Sequence, residues 1–195
     1  MHTLIDLRGS IPTFIHITDG RCHDSNVLNL LDIVPNAIYT MDKTYVDFET
    51  LERIDSDSGF FITRAKDNMK YEITTSTNFN IDQSTGLMED HMIRLIGYKS
   101  KKLYPKELRL IKFCDSETGE LLTFISNIIV GQLEFNGLEI ANIYRHRWDI
   151  ESFILQTHKA ESYCEALVYA CHIQHHKGYE YGEQTAGEDE EVLAA

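Results

Sequence analysis

Tyr144, Arg147 and Glu151 stand at i, i+3 and i+7, and on a helix those offsets bring all three to one face. The spacing alone also describes an ordinary surface ion pair. Arg before Glu at i,i+4 is in fact the weaker orientation for such a pair. Asp42 is the second chemical feature. It follows Ala37-Ile38-Tyr39-Thr40-Met41, a short apolar run that reads as a buried strand. The C-terminal end of such a strand is where α/β sheets often place ligand and metal chemistry. An acid there is equally an ordinary way to begin a loop. The pair says more than either residue. Asp42 and Glu151 together could offer hard carboxylate oxygens to Mg2+, as two-metal phosphoryl transfer requires.

A third group, Cys164, Cys171, His172, His175 and His176, invites a zinc reading. Its C-x6-C-H-x2-H-H spacing fits no common structural zinc pattern, and reduced thiols beside solvent-facing histidines explain it as well. The four cysteines are scattered rather than framed for disulfides, so the expected setting is reducing and cytoplasmic.

Elements must carry these residues. His2–Arg8 and Pro12–Thr18 are β-rich runs around Gly9-Ser10-Ile11 and read as an antiparallel hairpin. Asp24 or Ser25 caps an amphipathic helix through Val27, Leu28, Leu30, Leu31 and Ile33, stopped by Pro35-Asn36. The strand ending at Asp42 follows, then a helix over Asp47–Ile54 and a strand at Phe60–Arg64. This order predicts a mixed α/β sheet.

From 68 to 130 the pattern turns β-rich, with strands expected at Tyr71–Thr75, Met92–Tyr98, Leu108–Phe113 and Leu121–Ile129. Asp82–Gly86 and Asp115–Gly119 supply turns between them. Residues 137–159 carry the longest helical pattern, through Leu138, Ile140, Ile143, Ile150, Phe153 and Ile154. Ala166–Ala170 reads as a short helix or an extension of the long one. The segment from Gly178 has too little apolar surface to offset its ordering entropy.

A hydrophobic content of 43% with nine Phe and ten Tyr is enough for a core. No apolar run approaches the ~20 residues of a membrane helix. The net charge of −13 argues against a general nucleic-acid binder. The excess is uneven: residues 161–195 hold eight acids against Lys177 alone.

The blocks His2–Gly9, Ile15–Gly20 with His23-Asp24, Tyr39–Phe48 and Phe61–Lys66, in that order, resemble successive blocks of bacterial DDE transposases of the insertion-sequence IS-four type. The segment Tyr144-Arg-His-Arg-Trp-Asp-Ile-Glu151 resembles that family's signature Tyr-x2-Arg-x3-Glu-x6-Lys, so the likeness spans roughly residues 1–155. It implies an RNase H-like (retroviral-integrase-like) core in residues 1–67, a β-rich insertion in 68–130, the core resumed with its catalytic helix in 131–160, and an atypical acidic tail, partly disordered, in 161–195.

It further implies that Asp42 and Glu151 are the second and third acids of the DDE triad and bind Mg2+ or Mn2+. Tyr144 and Arg147 would act at the DNA end, Arg147 through a phosphate. Trp148 reads as packing. The implied partners are transposon-end DNA and target DNA, with self-association of the chain and no membrane.

Three departures qualify the likeness. The family's first catalytic Asp lies on a strand before the opening hairpin, so the sheet is expected to lack its first strand and the chain to be an inactive catalytic-core fragment. Asp6 belongs to the following block and does not match that acid. The signature's last Lys falls at His158, with Lys159 about 100° further round the helix. Beyond Ile154 the basic, aromatic continuation is absent. A missing central strand would leave two apolar strand edges unpaired. A second reading is therefore a non-catalytic fragment that associates with intact transposase through those edges.

Overall fold

The computed structural model describes residues 2–6, 11–16, 28, 30–76, 81–129, 133, 135–157 and 167–172; for 2–6, 11–16, 45, 148–157 and 167–172 it describes backbone only. The strands are β1 (His2–Asp6), β2 (Ile11–His16), β3 (Ala37–Met41), β4 (Phe60–Arg64), β5 (Tyr71–Ser76), β6 (Leu87–Leu95), β7 (Glu107–Cys114), β8 (Leu121–Ser126) and β9 (Leu167–His172). The α-helices are α1 (Phe48–Ser56), the single turn α2 (Ser100–Leu103) and α3 (Gly137–Thr157). Among the described residues the strands form one mixed sheet in the order β2-β1-β9-β3-β4-β8-β7-β6-β5.

β3 and β4 run parallel, with Thr40 opposite Ile62 and Met41 opposite Thr63. Both are buried on two faces, which is why each reads as a continuous apolar run rather than an alternation. Strand periodicity still sorts their residues. Tyr39, Met41 and Phe61 face one core cluster with Leu51 and Ile54 of α1. Ile38, Phe60 and Ile62 face the other, with Ile140, Ala141 and Tyr144 of α3. Asp42 continues the parity of Ile38 and Thr40, so the strand delivers it to the α3 side. The strands expected between 68 and 130 are present as β5–β8. They form an antiparallel meander continuous with the sheet, joined to it where β8 pairs with β4.

Two expectations are corrected. Residues 167–170, read as helical, belong to strand β9. The edges of β1 and β3, expected to be unpaired, are both covered by it. β9 runs parallel to β1, with Leu4 opposite Val168, and antiparallel to β3, with Met41 opposite Val168. Leu167-Val-Tyr-Ala-Cys-His172 is rich in residues that fit a pleated surface. Two ladder edges awaiting partners outweigh a weak local preference for helix. The helix expected from Asp24 or Ser25 falls largely outside the described residues, as does the segment from Gly178. Leu28 and Leu31 are described, and both are buried in the core.

Candidate functional site

The site begins where β3 ends. Asp42 caps a single 3-10 turn, Lys43–Tyr45, with its Oδ1 accepting a hydrogen bond from the Thr44 backbone N–H at 3.0 Å. That bond is local and fixes the carboxylate's orientation. Oδ2 points elsewhere: the Arg147 guanidinium (NH2) lies 4.0 Å from it. The Asp42 side chain is 29% exposed and that of Arg147 only 5%. Arg147 is therefore not the surface ion-pair residue that its spacing allowed.

α3 brings the partner residues. Its start is set by a reciprocal capping box. The Asn136 backbone N–H donates to Glu139 Oε2 at 2.7 Å, and the Glu139 N–H donates to Asn136 Oδ1 at 3.0 Å. A buried ion pair in the meander steadies the same end. Arg109 binds Asp90 through two hydrogen bonds of 2.8 and 2.6 Å and donates a third, at 2.7 Å, to the Phe135 carbonyl. Gly137 makes the approach possible, since a Cβ there would stand 2.8 Å from Asp90 Oδ2. Neither the capping box nor this pair was singled out in the sequence. Asn-x-x-Glu ahead of an apolar run was a legible signal for the first; nothing local announces the second.

From that anchored start, Ile140, Tyr144 and Arg147 form the buried stripe of α3. Tyr144 is fully buried, its ring 4.7 Å from that of Phe124. The Arg147 guanidinium lies 5.2 Å from the Tyr144 ring centroid, a cation–π contact. Burial pushes the Tyr144 phenol up to about 12, with Arg147 pulling it down and Asp42 pushing it up. Tyr144 is thus placed as a platform under Arg147, not as a surface group.

Glu151 follows Arg147 by one helical turn, about 6 Å along the axis, and continues the stripe's spacing. Its side chain lies outside the described residues, and with it the expected separation of the two carboxylates. His158 and Lys159 also lie outside, as do Cys164, His175 and His176. Among the described residues no group of three or more His, Cys, Asp and Glu is disposed to hold a metal ion.

Asp6 does not join the site. Through β9, Asp6 is level with Ala170 and Tyr39. It is therefore two strand spacings aside from Asp42 and three residues back, roughly 14 Å at ordinary sheet dimensions.

What fold and site define is a mixed α/β domain with an acid at the end of an inner strand, faced by a cation from the long helix that crosses the sheet. The chain belongs to the transposase DDE domain family, whose model matches residues 1–159. Family membership implies the RNase H-like fold and a role in DNA transposition and recombination; DDE transposases generally bind transposon DNA and use a divalent metal ion. No curated protein and no solved structure matches the chain. Among the described residues no helix is long and apolar enough to cross a membrane.

Proposed function

We propose that the chain is the catalytic-core portion of an IS-four type transposase, with Asp42 and Glu151 as its second and third metal-binding acids. The observation that carries the reading is the meeting of Asp42 with α3 at Arg147, one turn before Glu151. The donor chemistry fits Mg2+ or Mn2+. Both residues carry hard carboxylate oxygens, and Asp42 Oδ2 accepts no hydrogen bond among the described residues. When bound, the metal ions would activate the attacking oxygen and stabilise the leaving one during hydrolysis at the transposon end and 3′-OH attack on target DNA.

The chain's own residues hold and orient. The Thr44 N–H fixes Asp42. Tyr144, packed on Phe124, holds Arg147 beside the site, where its guanidinium can take a phosphate oxygen as charge develops. In this reading residues 68–130 are an insertion into the RNase H-like core. The 195-residue chain alone does not cleave DNA, because it carries two acids of the triad. β9, beside β3, contributes no carboxylate from Leu167 to His172. Association with intact transposase through open edges of β1 and β3 would require displacing β9 from between them.

Isothermal titration of the chain with Mn2+ tests the reading. Weak binding that falls at least tenfold in both Asp42→Ala and Glu151→Ala is expected, together with no nicking of transposon-end DNA. Equal Mn2+ affinity in all three proteins would overturn the assignment of the pair, and metal-dependent cleavage by the chain would overturn its inactivity.

A further inference from the structure

Beside Asp42 lies an open cleft of about 400 Å³ lined by Lys43, Thr44, Lys66, Asp67 and Asn68. We propose that this cleft binds the phosphate backbone of a nucleic-acid strand next to the Asp42 site, with Lys43 and Lys66 touching the phosphates. The inference rests on the reading of Asp42 as a reaction centre and adds the path of the strand beside it.

Position and charge pairing together set this cleft apart. The chain is acidic overall, and several cations on or beside β4, β6 and β7 are held by carboxylates. Arg64 pairs with Glu120 at 2.7 Å, Arg94 with Glu107 at 3.2 Å, Lys106 with Asp55 at 2.7 Å and Lys112 with Glu89 at 2.9 Å. The cleft's two lysines differ. Lys66 donates to a neutral acceptor, the Val46 carbonyl, at 2.6 Å, and no carboxylate reaches it among the described residues. Lys43 has only Asp67 among the described residues, 3.8 Å away on a side chain 94% exposed, a pair too long and too solvated to neutralise it. Two largely uncompensated ammonium groups therefore flank a cleft that opens beside the site's carboxylate.

The shape favours a polymer over a free anion. Lysines bind phosphate as point charges without the fixed fork of arginine. An open cleft with two such charges suits a strand passing through better than enclosure of one ion. Lys66 has a second consequence. Its bond to Val46 closes the turn that begins at Asp42, so the cation that meets the strand also ties the end of β4 to the acid's own loop.

The test is fluorescence anisotropy of the full chain with a labelled DNA duplex of arbitrary sequence, without metal, across a salt series. The Lys43→Ala/Lys66→Ala double variant should bind about tenfold more weakly. The slope of log affinity against log salt should fall by about 1.8, at ~0.9 for each phosphate no longer neutralised. Lys101→Ala/Lys102→Ala in α2 is the charge-matched control and should change neither quantity. Lys43→Ala alone, whose side chain makes no hydrogen bond to another element among the described residues, should bind about threefold more weakly and keep the melting temperature. Its behaviour separates phosphate binding from folding.

Equal weakening in the two double variants, or none in Lys43→Ala, would overturn the proposal. So would displacement of the duplex by inorganic phosphate beyond that caused by chloride of equal ionic strength, which would mark a free-anion site. Mn2+ titration of the same variants tells the two readings apart. Abolished Mn2+ binding in Asp42→Ala with no effect of the lysines removes only the cleft. Lysine effects with unchanged Mn2+ binding in Asp42→Ala remove the metal site.

Discussion

The two sides of the sheet are built on opposite principles. From β4 outward through β8, β7, β6 and β5, the last four strands form an antiparallel meander, and side chains from both faces of β6, β7 and β8 enter the described cores. On the other side, among the described residues, the hairpin β1–β2 reaches β3 through β9, which pairs Leu4 and Met41 with Val168 from the far end of the sequence. The meander closes short loops and can form locally. The hairpin side must wait for distant segments, whose loop-closure entropy is met only after they pair. Asp42 sits on the boundary, with its strand bordered by β4 on one side and β9 on the other.

The largest single effect should come from the meander's buried ion pair. Arg109→Met leaves Asp90 charged, buried and without its bidentate partner, and frees the Phe135 carbonyl. The expected loss is about 3–5 kcal/mol. Urea unfolding measures it, and a loss below ~1 kcal/mol would show that the pair does not anchor α3. Arg109→Met with Asp90→Leu should recover much of the loss, because no uncompensated charge remains.

A proline in β9 probes the other side. Tyr169 lies between Ile5 and Thr40 in a strand paired on both flanks, so Tyr169→Pro must remove a ladder bond. Amide exchange should accelerate across β1, β2 and β3 while β6, β7 and β8 keep their protection. Uniform acceleration would mean that the two sides unfold as one unit. Thr74→Pro is the matched control at the outer edge, where the β5–β6 register is already broken between Ile73 and Thr75. There the stability change should stay within about 0.5 kcal/mol.

That contrast also explains what the sequence made legible. β3, α1, β4 and the meander strands each follow from a local pattern of apolar residues and turns. The stripe Tyr144, Arg147, Glu151 follows from helical spacing and the signature around it. β9 could not be read that way. Leu167-Val-Tyr-Ala-Cys is compatible with helix or strand, and its state is decided by a slot whose walls lie at residues 2–6 and 37–41. Asp90–Arg109 was hidden for the same reason, since neither residue differs locally from a charge on a strand's outer face. The site's acid and cation were visible as types, but the burial that turns Tyr144 into Arg147's platform depends on Phe124, a meander residue.

The smallest effect sharpens the comparison through pH. Three phenols packed on the β3–β8 side have raised pKa values, each chiefly because burial disfavours the phenolate. Tyr39 accepts a hydrogen bond from the Val34 N–H, Tyr104 donates one to Asp55, and Tyr144 packs against Phe124. For Tyr144 the folded value is about 12 against an ordinary 10.0. The sign follows from linkage: above pH 10 the unfolded chain releases this proton and the folded chain keeps it. Stability from the neutral phenol is therefore complete below pH 10 and lost as pH rises toward 12. Tyr104 extends the decline further. In urea melts between pH 9 and 12, Tyr144→Phe should flatten part of this fall while keeping the ring contact with Phe124. The phenolate absorbance of the folded protein should show fewer groups titrating near pH 10 than the unfolded chain does. If Tyr144→Phe leaves the alkaline slope unchanged, the buried phenol is not its source, and the alkaline weakness belongs elsewhere than at the site's edge of the meander.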